Sequence, residues 1–139
     1  MNEEELRASK NDAYVLFIGA SPQMLPHYRQ KLRDEFAALC PGMTCLMYAA
    51  TNVTEASSLI PTLSALGVVC FCNEGRPVGE DSTPDARLLA RLLNEHAGKP
   101  WVVLGLYAAN LEPIFVRAGI DVRPNTVWQV LKERYADAQ

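Results

Sequence analysis

A chain of 139 residues, 49% of them hydrophobic and 21% charged, has enough apolar material for one domain with a sizeable core. Sixteen acids against thirteen bases leave a formal charge of −3. That balance argues against nonspecific binding to DNA or RNA, because counterion release needs a coherent basic surface.

Residues 1–12, MNEEELRASKND, read as a flexible amino-terminal segment, acidic and polar rather than like a positively charged signal segment. Residues 13–139 read as a single α/β domain. The run 13–19, AYVLFIG, is nearly all apolar, the pattern of a strand that a parallel sheet buries on both faces. Ser21 and Pro22 open a helix in which Leu25, Tyr28, Leu32, Phe36 and Leu39 keep helical spacing to Cys40, and Pro41-Gly42 ends it. A second strand covers Thr44 to Ala50. Thr51 or Asn52 then caps a helix running through Leu59, Leu63 and Leu66, with Pro61 marking a break or kink.

Strand three is Val68 to Cys72. Thr83-Pro84 opens the next helix with proline at its first position, and its stripe is Leu88, Leu89, Leu92, Leu93 and His96. Gly98-Lys99-Pro100 leads to strand four, Trp101 to Leu106. A short helix from Asn110 to Ala118, a turn at Gly119, a short fifth strand and a last helix from Thr126 to Tyr135 complete the chain. Alternating strands and amphipathic helices predict an α/β fold, a three-layer flavodoxin-like sandwich with about five mostly parallel strands and right-handed crossovers. No apolar run reaches the roughly 18 residues of a membrane-crossing helix. The expected setting is cytoplasmic, with no membrane partner.

Loops at the carboxyl ends of such strands are the usual home of small-molecule chemistry, so the expected partner is a small polar molecule. After strand one, Gly19 permits close backbone approach, and Ser21 either caps the helix or bonds a ligand near its positive end. The segment is neither a GxGxxG nor a GxxxxGK[ST] motif. Glu74, Glu80, Asp81 and Asp85 gather after strand three. A carboxylate there would hold sugar hydroxyls, abstract a proton or attack an anomeric carbon, and crowding would push the acids' pKa values apart. The same acids also suit a solvated turn, with Asp81 or Asp85 complementing the helix dipole. Arg76 is either an ion-pair partner or an anchor for phosphate or carboxylate, and Asn73 and Asn110 divide between turn structure and amide recognition.

His27 and His96 sit in helices without a matching nucleophile or metal cluster. Cys40, Cys45, Cys70 and Cys72 lack the paired spacing of a zinc site, and Cys70 and Cys72, on one strand face, read as buried reduced thiols. Neither a metal nor an organic cofactor is expected. Trp101 and Trp128 suggest spare apolar surface, for which a homodimer is the simplest closed assembly.

The GASP loop, the segment GVVCFCNEGRP, the turn GEDSTPD and the later GKPWVVLGL together resemble the nucleoside 2-deoxyribosyltransferase and deoxynucleotide N-hydrolase superfamily over about residues 13–110. The resemblance implies a base-and-sugar pocket built from an early Gly/Pro loop, an Asp-containing loop after strand three, and a helix bearing a catalytic Glu. Asp85 is the carboxylate nearest that Glu's place, one methylene shorter. The resemblance implies Asp85 or Glu74 acting at the anomeric carbon and Asp81 orienting sugar or base. Ser21 and Arg76 would contact sugar or phosphate, with Gly19, Asn73 and Asn110 completing the binding set. A carboxylate nucleophile suits such chemistry because it traps an oxocarbenium-like centre covalently before water or a second acceptor resolves it.

The leading expectation is thus a nucleoside or nucleotide glycosidic-bond hydrolase or deoxyribosyltransferase. Two alternatives stand beside it. One is a noncatalytic flavodoxin-like ligand-binding or regulatory domain, though not a phosphorylated receiver, since GASP and CNEG occupy the places of its acidic residues. The other is a thioredoxin-like structural protein, suggested by IPTL and NEGRPVG, without the redox CxxC.

Overall fold

The computed structural model describes residues 13–39, 45–63, 67–71, 83–97, 100–104, 111–123, 129–130 and 132–133. The expected flexible segment 1–12, together with Cys40, Cys72, Asn73, Glu74, Arg76, Glu80, Asp81, Asn110 and Trp128, lies outside the described residues.

The elements are β1 (Ala13–Ile18), α1 (Leu25–Leu39), β2 (Cys45–Ala50), α2 (Val53–Ala56), β3 (Gly67–Phe71), α3 (Thr83–Leu92), β4 (Trp101–Leu104), α4 (Glu112–Arg117) and β5 (Val122–Arg123). The strands form one five-stranded sheet in the order β2-β1-β3-β4-β5, and every pairing is parallel. The chain steps outward from β1 to β2, then returns across β1 to build β3, β4 and β5. This is a flavodoxin-like order, with its reversal between β1 and β3.

All six residues of β1 are buried. Tyr14, Leu16 and Ile18 belong to one core with Val53, Leu89, Leu93 and Phe115, from α2, α3, the turn after it and α4. Ala13, Val15 and Phe17 belong to a second core with Leu32 and Phe36 of α1 and with Val130. A strand covered on both faces has no solvent side on which to place polar residues, which is why AYVLFI carries no charge. Tyr28 fastens α1 to the sheet by stacking on Phe17, with ring centroids 5.0 Å apart and planes inclined by 9°.

Tyr14 of β1 lies opposite Gly67 of β3 in the ladder. A Cβ at Gly67 would sit only 2.0–2.4 Å from three atoms of the Tyr14 ring, so the bare glycine is what lets that ring lie across β3. The ring also meets Tyr48 of β2 edge-on, at 6.3 Å and 65°.

Two helices depart from their expected course. The helix after β2 is a single turn, α2, followed by a separate 3-10 turn at Ile60–Thr62 that has Pro61 near its start. Ser57 and Ser58 donate their hydroxyls to the carbonyls of Thr54 and Glu55, and Pro61 has no N–H to continue the ladder, so the helix stops early. In α3 the stripe was expected to end on His96, which is exposed. Leu89 and Leu93 are buried as expected, with Ala86 and Ala90 beside them and Leu88 and Leu92 half-buried against the same core, but a wider π turn over Leu93–Ala97 shifts the phase at the end, where Ala97 is buried in place of His96.

Candidate functional site

A shallow cleft, open to solvent and with room inside it for about one water, lies at the carboxyl edge of the sheet, at the strand-order reversal. Ile18 and Gly19 enter it from the β1 exit, Thr51, Asn52 and Val53 from the β2 exit, Phe71 from the end of β3, and Asp85 from the first turn of α3. Helices that follow neighbouring parallel strands to opposite faces of the sheet diverge at such a point, and the space between their loops receives ligands in open α/β sheets.

Local chemistry shapes each wall. Gly19 has φ of 80°, a left-handed conformation that favours glycine, and its N–H donates to the Ala50 carbonyl at 2.9 Å. The exits of β1 and β2 are thereby tied together, and the Gly19 amide is spent on the scaffold. Asn52 is the extended N-cap of α2, and its Oδ1 accepts the Glu55 N–H at 2.8 Å. That bond fixes the Asn52 side chain and leaves its carboxamide nitrogen as the donor end. Ile18, Val53 and Phe71 are buried and give the cleft an apolar floor.

Asp85 is half-buried, and its Oδ2 is shielded from solvent. As the third residue of α3 it places negative charge at the positive end of the helix. A carboxylate has about four acceptor positions, so helix complementation and ligand contact are compatible duties.

Among the expected site residues that are described, Asp85 and Gly19 meet at this cleft. Ser21 turns elsewhere: its hydroxyl donates to Gln23 Oε1, and its carbonyl accepts the Met24 N–H at the start of α1. Glu74, Asp81, Asn73, Arg76 and Asn110 lie outside the described residues. Thr51 and Asn52 had been assigned only a capping role. Their position just after a strand, on the side of the sheet where ligands gather, was the signal for a second one.

Among the described residues no group of three or more His, Cys, Asp or Glu side chains is arranged to hold a metal ion. Cys45 and Cys70 are thiols outside any disulfide, Cys70 only half-buried where a buried thiol was expected, and His27 is exposed. No described helix is long and apolar enough to cross a membrane. No protein-family model matches the chain, and neither a curated protein nor a solved structure matches it.

Proposed function

We propose that this protein is a flavodoxin-like small-molecule-binding domain whose ligand occupies the cleft at the β1/β3 reversal, and that its role is recognition rather than turnover. The observation that carries this reading is the convergence of three strand exits and the first turn of α3 on one cleft with an apolar floor and a carboxylate wall. The bond from Gly19 to Ala50 and the Asn52 cap hold its rim in place, so little ordering is needed when a ligand enters.

Amide chemical-shift mapping with a panel of small polar metabolites tests the reading. A ligand of the cleft shifts Gly19, Asn52 and Val53 together and is recovered unchanged. Shifts confined to another part of the chain would refute the site.

A second reading draws on the position of Asp85, which meets the cleft where a nucleophilic carboxylate would stand. In that reading Asp85 attacks the anomeric carbon as the base departs, and water hydrolyses the resulting glycosyl ester. Release of free base from a bound nucleoside by the wild type, and loss of that release in Asp85→Asn with binding retained, would favour it over simple recognition.

A further inference from the structure

We propose that the outer edge of β2 is a self-association surface, on which the β2 of a second copy of this chain pairs antiparallel across a two-fold axis and joins two five-stranded sheets into one. The inference is independent of what the cleft holds.

The ladder between β1 and β2 fixes which way the backbone of β2 points. The Gly19 N–H donates to the Ala50 carbonyl, so Ala50 directs its peptide groups toward β1. Successive residues of a strand direct these groups alternately to its two sides, so Leu46 and Tyr48 also face β1, while Met47 and Ala49 face outward. Among the described residues no strand pairs with that outer side. Exposure agrees with this. Every residue of β1 is buried, whereas Cys45, Leu46, Met47 and Tyr48 are half-buried and Ala49 is exposed.

The two ends of the sheet are built differently. β5 is two residues long and carries Arg123, whose guanidinium lies 3.0 Å from Asp121 and 3.7 Å from Glu133. Short length and charge are ordinary means of keeping an edge from pairing. β2 has neither: it runs for six residues, CLMYAA, with no charge and no proline.

A second copy is the occupant that this edge fits. The two-fold axis sets an uncharged strand against itself, so no like charges meet. The copy's strand is already held extended in its own sheet, so pairing needs less ordering than a free peptide would. With the axis at Tyr48, Met47 lies opposite the partner's Ala49 and Ala49 opposite the partner's Met47. Each of these pairs exchanges two N–H···O bonds. Leu46 then falls opposite the partner's Ala50, and the half-buried apolar side chains of both strands gain cover. Trp101 takes no part, since β1 and β3 separate its strand from β2.

Sedimentation equilibrium of the full chain, from micromolar to near-millimolar concentration, is expected to show a monomer–dimer equilibrium. Ala49→Pro removes an N–H that points away from β1, and Ala49→Lys places a charge on the exposed edge. Both variants are expected to keep the far-ultraviolet circular dichroism of the wild type. Each should raise the dimer dissociation constant by about tenfold or more, the scale of two lost hydrogen bonds. In wild-type hydrogen exchange, the amides of Met47 and Ala49 are expected to gain protection as the dimer fills.

A monomer at every concentration overturns the proposal. So does a dimer that is equally strong in both variants, which would use another surface. Protection of the Met47 and Ala49 amides in a sample that sediments as monomer would mean that the chain covers its own edge, and also overturns it. If neither variant folds, those two amides decide: protection that rises with the dimer upholds the interface, and protection unchanged by dimer formation overturns it.

Discussion

Replacing Gly67 by alanine places one methyl group where the Tyr14 ring now lies. The new Cβ would fall 2.0–2.4 Å from the ring's Cζ, Cε1 and Cε2, against the roughly 3.5–4.0 Å of an ordinary carbon contact. Closing that gap requires a shift of about 1.5 Å. Tyr14 is 3% exposed and wedged edge-on against Tyr48, so neither the ring nor β1 has empty space to move into. Overpacking of this kind costs about 1–3 kcal/mol. Without the clash, alanine in a strand would be favoured over glycine by roughly 0.5–1 kcal/mol. Gly67→Ala is therefore expected to destabilise the wild type by about 1–3 kcal/mol, but to be neutral or mildly stabilising once Tyr14 is truncated. Urea unfolding of the wild type, G67A, Y14A and the double variant measures this coupling, provided the dependence on denaturant is unchanged. Tyr14→Leu replaces Y14A if the latter is too unstable to fold. Wild-type stability in G67A, or the same loss in both backgrounds, would refute the account of how β1 and β3 fit together.

Asn52→Ala removes the side-chain acceptor for the Glu55 N–H and is expected to cost about 1 kcal/mol, read as a lower urea midpoint. Gly19→Ala forces a Cβ into a backbone with φ of 80°, at about 1–2 kcal/mol. Gly19→Asn should lose less, because asparagine tolerates that conformation, and a smaller loss for alanine than for asparagine would contradict the assigned strain. Phe115→Ala empties a fully buried site that meets Phe71 edge-on at 6.5 Å, with an expected loss of about 3–5 kcal/mol in the same assay.

The sheet was legible because burial on both faces leaves its mark at every position. AYVLFI could be little else in a domain this size, and Pro41-Gly42 and Gly98-Lys99-Pro100 punctuate the flanking helices. The early end of α2 was harder to see, since it depends on which carbonyls Ser57 and Ser58 choose to bond. The exposure of His96 was hidden for a different reason: a π turn changes the period on which the stripe was read. Asp85 stood out as a carboxylate just beyond strand three. That Thr51 and Asn52 would face it depends on β1 lying between β2 and β3, which is a property of strand order and not of any local pattern. Gly67 went unnoticed as the start of a strand, because only the ladder register sets it opposite Tyr14.

Strand order also governs how the chain comes together during synthesis. β1 is flanked by β2 and β3, yet it is the first of the three to be made. β2 is available to cover one of its edges, but the other waits until Phe71 has been added. At about 5–20 residues per second, the interval between Ile18 and Phe71 is roughly three to ten seconds. For that time an uncharged strand, apolar on both faces, has a bare edge and no native partner for it. The passage most exposed to mispairing is thus the growth of the nascent chain on the ribosome, before the finished domain has hidden its most adhesive segment.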